Sequence, residues 1–191
     1  DFSGEWQEQL ALEQSLVKKA ELKLAEYYDD SQEYFWDVIS IVNEITNNIN
    51  DHGGKKWYMH IGVEYDAVSQ KHIAHVVVGD FWTGIKAKAG SYENYFADGW
   101  STEDTTAHKH NGTGWLTIKH LAKNCKMHLV VHDNEEAYLI NEPQWFTGYK
   151  REPQEKKRWR GAHFIGSVIL PIKNEEKKSQ DPQVVQLEFD L

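Results

Sequence analysis

Three short runs hold residues whose types and spacing could do chemistry together. In the run from Glu44 to Gly53, Glu44 and Asn48 are four residues apart, which puts them one turn apart on a single helical face. A carboxamide oxygen placed there could ligate a phosphate-bound magnesium ion, while the carboxylate orients or deprotonates an attacking water. In the run from Val76 to Ile85, Asp80 closes a β-branched strand and stands four residues before Gly84. An acidic side chain at a strand end can accept a hydrogen bond from an exocyclic amine such as that of adenine. A glycine just beyond it lets the backbone approach a base closely. In the run from His110 to Leu116, Gly112, Thr113 and Gly114 open a helical pattern. Small residues at a helix start let successive N–H groups face an anion, assisted by the helix dipole. No Gly-Lys-Ser/Thr follows, so this is not a P-loop.

Each run alone also has an ordinary structural explanation: a solvent-facing or capping pair, a turn aspartate, a helix-opening glycine. The elements around the runs give them their setting. Phe35, Val38, Val42, Ile45 and Ile49 recur at threes and fours, predicting an amphipathic helix that ends near His52-Gly53-Gly54. Alternation from Trp57 to Tyr65, a turn near 66–70, and the run 73–78 predict an antiparallel hairpin ending at Gly79-Asp80. Periodicity disappears over 86–112, the length and composition of a functional lid or a disordered loop. A helix is expected from Trp115, then strands over 127–131, 137–140 and 164–172, with a polar excursion at 141–160 and a further strand over 184–189. Before all of these, 5–28 reads as a solvated amphipathic helix with Leu10, Val17 and Leu24 seven apart. That spacing suits a helix packed along the domain or a coiled-coil arm for homodimerisation. The expected organisation is an N-terminal helical extension over 1–30, a domain over 31–172, and a tail or the start of a further element over 173–191.

The succession of a helix with Glu-x-x-x-Asn, a hairpin ending in Asp-x-x-x-Gly, a long lid, and a Gly-x-Gly helix followed by strands resembles a known ATPase superfamily. It is the one shared by gyrase, heat-shock chaperone, histidine kinase and mismatch-repair protein, over roughly residues 35–172. The run Glu44 to Gly53 is similar to bacterial anti-sigma-factor kinases and related stand-alone ATP-binding regulators. The resemblance implies a Bergerat-type α/β (α+β) two-layer sandwich, with a mixed, mainly antiparallel sheet and helices on one face. It implies ATP (or ADP) and magnesium as ligands, with Asn48 on the metal and Glu44 as general base. Asp80 would read the adenine amine, Gly84 would pack on the base, and Gly112, Thr113 and Gly114 would hold phosphates. The sequence departs from the pattern twice. Trp82 stands where the family places a glycine, and would either wall the base or fill its site. Ala162 follows Gly161 where the family places a threonine that contacts the aspartate through water.

Composition narrows the alternatives. The 191 residues carry a formal charge of −9, which disfavours broad nucleic-acid or acidic-membrane binding. The basic cluster at Lys150-Arg151 and 156–160 reads as a solvated loop or, less simply, as a local grip on nucleic acid. Cys125 is the single cysteine, so no internal disulfide forms, and a reducing cytoplasm is expected. No apolar run approaches the ~20 residues that span a bilayer. Among ten histidines, His72 and His75 fall on opposite faces of a strand and make poor joint metal ligands. Two functions stand: an ATP hydrolase or protein-kinase-type regulator with a nucleotide-gated lid and a regulatory protein partner, or a degenerate, non-catalytic interaction module of the same fold.

Overall fold

The computed structural model describes residues 17–26, 28, 33–52, 57–67, 70–81, 90–91, 96, 114–133, 136–146 and 161–170. Helix α1 covers 17–26. It is followed by α2 (Glu33–His52), β1 (Trp57–Asp66), β2 (Lys71–Asp80), α3 (Gly114–Asn124), β3 (His128–Asp133), β4 (Glu136–Asn141), a 3-10 turn (Gln144–Phe146) and β5 (Ala162–Ile169). The five strands form one sheet in the order β1-β2-β5-β3-β4. Every pairing in it is antiparallel, so the expected mixed, mainly antiparallel sheet is antiparallel throughout its described strands. This is an α+β fold.

The stripe read on α2 is the one buried: Phe35, Val38, Val42, Ile45 and Ile49, joined by Ile41. Thr46 is buried among them and donates its hydroxyl proton to the Val42 carbonyl at 2.8 Å, so it brings no unmet polar group into the core. Strand register sets the opposing layer. Trp57, Met59 and Ile61 lie level with Asp80, Val78 and Val76, and Val78 and Val76 with Phe164 and Gly166. Leu129 and Val131 continue the same face. These residues and the helical stripe form one buried cluster, with α2 packed on α3 and β2, and α3 on β4. Removing each large aliphatic side chain from water contributes about 1.5–3 kcal/mol, which makes this layer the main source of stability.

Helix α1 places Ala20 and Leu24 in that same cluster, with Val17 partly buried against it and Tyr28 buried beyond its end. The heptad-spaced Val17 and Leu24 therefore face this chain's own core, as a helix packed along the domain requires. At its other end the core is closed by α3, which stops in a Schellman turn: Met127 N–H donates to the Ala122 carbonyl and Lys126 N–H to that of Lys123. Lys126 takes the left-handed conformation, φ 54°, that glycine usually fills. Asn141 donates to the Ala122 and Met127 carbonyls across this turn.

Phe96 falls within the expected lid and is buried. Its ring stacks on Tyr138 and meets Trp115 edge-on. The remainder of the lid apart from 90–91, the excursion beyond 146, the basic cluster and the strand expected at 184–189 lie outside the described residues. Among the described residues, no helix is long and apolar enough to cross a membrane.

Candidate functional site

Helix α2 carries Glu44 and Asn48 on the flank of its buried stripe, both partly buried. Gly114, the first residue of α3, lies directly against them. A Cβ placed on Gly114 would sit 3.4 Å from Glu44 Oε2 and 3.7 Å from each terminal atom of the Asn48 carboxamide. Two runs separated by about seventy residues of sequence thus meet where a helix N-terminus, a carboxylate and a carboxamide converge. The Asn48 Nδ2 atom is buried and has no hydrogen-bond partner among the described residues. A buried amide of this kind costs about 1–3 kcal/mol, and a bound polar group would relieve that cost.

The electrostatics of this corner are mixed. The N-terminus of α3 presents the positive end of the helix dipole, yet Glu44 stands beside it. A bare polyphosphate would meet a carboxylate there, whereas a phosphate accompanied by a divalent cation would meet a balanced set. The donor set, one carboxamide oxygen with a nearby carboxylate, is of the kind that suits magnesium, a hard cation that takes oxygen ligands and retains several waters.

Asp80 closes β2 on the sheet face that α2 covers, and is buried. Its Oδ1 accepts a hydrogen bond from Ala162 N–H at 3.1 Å. A main-chain donor thus acts directly on the carboxylate. Gly161 makes this approach possible. Its φ is +85°, and a Cβ there would lie 2.3 Å from the Asp80 carbonyl oxygen and 2.4 Å from Oδ1. Neither value is tolerable for a real side chain.

On the opposite sheet face, Tyr58 of β1 reaches over Gly79 to His163 of β5, with Tyr58 Oη 2.6 Å from His163 Nδ1. The crossing demands glycine at 79: a Cβ would stand 2.4 Å from His163 Nδ1 and 2.9 Å from the Tyr58 ring. Burial, and to a lesser degree the Asp80 charge, push the Tyr58 hydroxyl from 10.0 up to about 12. The phenol therefore stays protonated at neutral pH, and one hydrogen bond joins it to the ring nitrogen, the donor being set by the His163 tautomer.

A second bridge of the same kind lies further along these strands. His75 Nδ1 is 2.9 Å from Ser167 Oγ, and His75 Nε2 is 3.1 Å from Glu64 Oε2, so β1 and β5 are again joined across β2. His72, three residues earlier, pairs with Tyr65 on the other face, as the strand periodicity predicts.

The structure thus brings together Glu44, Asn48 and Gly114, and clasps Asp80 at the end of β2. Trp82, Gly84, Gly112 and Thr113 lie outside the described residues. Tyr58, Gly161 and His163 were not singled out as site residues by the sequence reading. Their roles come from strand register and from the β1-β2-β5 order, for which the residue types give no signal. A scan against protein-family models and a search of curated proteins found no match for this chain.

Proposed function

We propose that this domain binds ATP with magnesium between α2, the N-terminus of α3 and the end of β2. The observation that carries the reading is the contact of Gly114 with Glu44 and Asn48, together with the buried Asn48 amide nitrogen that has no partner among the described residues. Magnesium bound with the nucleotide supplies neutralisation of phosphate charge beside Glu44. In this reading Asn48 offers its carboxamide oxygen to the cation. The first N–H groups of α3 face phosphate oxygens. Glu44 holds and deprotonates the water or hydroxyl that attacks phosphorus. Asp80 accepts from the adenine amine, its other side steadied by Ala162 N–H. Hydrolysis or phosphoryl transfer to a protein are the two outcomes of this chemistry, and a cytoplasmic setting goes with the lone, buried Cys125.

The test is calorimetric titration of ATP with and without magnesium, using the chain as given, Asn48→Ala and Asp80→Asn. Magnesium-dependent binding that weakens at least tenfold in both variants supports the site, and loss of turnover in Glu44→Ala then assigns the base. A folded sample that binds nothing at millimolar ATP refutes the reading. The same fold would then serve as an interaction module.

A further inference from the structure

We infer that Tyr58 and His163 are positioning residues for Asp80, and that the preference of the site for a base bearing an exocyclic amine depends on their hydrogen bond. The inference rests on the nucleotide-binding reading above and extends it to residues of the opposite sheet face. Asp80 is the last residue of β2, where a strand end would ordinarily fray. Beside the ladder pairing with Trp57, three contacts among the described residues oppose that fraying. Ala162 N–H holds Oδ1, and Gly161 lets the neighbouring backbone close on the Asp80 carbonyl. The third is the Tyr58–His163 bond, which spans the residue immediately before Asp80 and ties both flanking strands over it.

The first two contacts fix Asp80 relative to β5 alone. β1 is already level with Asp80 through Trp57 in the strand ladder, and the bridge adds a side-chain tie from β1 to β5 beside it, so the carboxylate is referenced to both neighbouring strands. A hydrogen bond to a base amine weakens steeply once its donor angle or length drifts. Contacts to phosphate at α2 and α3 do not depend on the end of β2. Loosening Asp80 therefore subtracts from recognition of the amine and leaves triphosphate binding in place. The bond itself is short, at 2.6 Å, and partly buried.

The experiment compares magnesium-ATP with magnesium-inosine triphosphate, which carries an oxo group where adenine carries its amine. Dissociation constants are measured for the chain as given, Tyr58→Phe, His163→Leu and the double variant. Circular dichroism melting confirms that each is folded. The unaltered chain is expected to prefer ATP by tenfold or more. Tyr58→Phe should lose most of that preference through weaker ATP binding, with affinity for the inosine nucleotide unchanged within twofold. The double variant should be no worse than either single variant, because both remove one bond. His163→Asn, which retains an acceptor near the Nδ1 position, should recover part of the preference.

Equal weakening toward both nucleotides would mean that the bridge only supports the fold, and would overturn the inference. An unchanged preference in Tyr58→Phe would do the same. If the unaltered chain binds both nucleotides equally, base reading by Asp80 fails and the inference with it. If it binds neither, the nucleotide site itself is refuted. Nitrogen NMR of the His163 ring supplies a readout independent of nucleotide: a single tautomer is expected, turning into a mixture in Tyr58→Phe. Ring nitrogen shifts that do not change in Tyr58→Phe would contradict the bridge.

Discussion

Replacing Gly161 with alanine isolates how tightly the chain closes around Asp80. Two costs apply. An L-residue held in the left-handed region loses roughly 1–2 kcal/mol. A Cβ would also stand 2.3 Å from the Asp80 carbonyl oxygen and 2.4 Å from Oδ1, so strand backbone has to move, not the end of a flexible side chain. Forced displacements in packed structure cost about 1–3 kcal/mol more. The expected loss is therefore about 2–5 kcal/mol, or a melting temperature lower by roughly 5–20 °C for a domain of this size. Gly90 is the internal control. Its φ is +76°, but a Cβ there meets nothing within 4 Å, so Gly90→Ala carries only the conformational cost. Urea denaturation of the two variants beside the parent gives the difference directly. Equal destabilisation of Gly161→Ala and Gly90→Ala would refute the claim that close approach to Asp80 is what demands glycine at 161.

The His75 bridge should be unequal at its two ends. Ser167 is 2 % exposed, so Ser167→Ala leaves a half-buried imidazole nitrogen short of a partner and should cost about 1–2 kcal/mol. The Glu64 side chain is 51 % exposed and its contact is screened by water, so Glu64→Gln should change stability by less than about 0.5 kcal/mol. A larger loss at Glu64 than at Ser167 in chemical denaturation would reverse this ranking. Alkaline pH should destabilise the fold through Cys125. Burial, reinforced by the nearby Asp37 charge, pushes its thiol from 9.0 up to about 12, against hydrogen bonds from the backbone that favour the thiolate. Between these values the unfolded chain releases a proton that the native chain keeps, so stability falls as pH rises, with a slope approaching about 1.4 kcal/mol per unit. Cys125→Ala should flatten that part of the profile measured by urea titration from pH 8 to 11, and an unchanged slope would count against the buried-thiol account.

How much the residues disclosed depended on the range of the interactions involved. The α2 stripe and the β1–β2 hairpin were legible because their periods are local. Five apolar positions at threes and fours have one helical solution, and alternation on both sides of a short turn has one simple pairing. The strand ends were less legible. β2 runs to Lys71 and β5 begins at Ala162, each two residues earlier than the apolar pattern, because ladder pairing with a neighbour continues past the last apolar side chain. The spacing of Val17 and Leu24 was compatible with two partners, and packing chose this chain's own core. At the site, the Glu44–Asn48 pair was visible as a helical spacing, but its meeting with Gly114 could be expected only through family resemblance. Tyr58, Gly161 and His163 had no local signature, since their meaning comes from a strand order in which β5 inserts beside β2.

That insertion has a consequence for how the protein is made. The contacts Asp80–Ala162, His75–Ser167 and Tyr58–His163 join residues 82, 92 and 105 positions apart. Closing a loop of that length costs about 4 kcal/mol in chain entropy by the logarithmic estimate, but the three contacts lie on one strand and share a single closure. A nascent chain can form α2 and the β1–β2 hairpin while β5 is still within the ribosome, and until then β2 exposes the edge that β5 will cover. The α2 and β1–β2 part of the candidate site is thus complete early, and the β5 part arrives in one event. Docking of β5 should be the slow, non-local step of folding, and it is also the step that creates the clasp on Asp80.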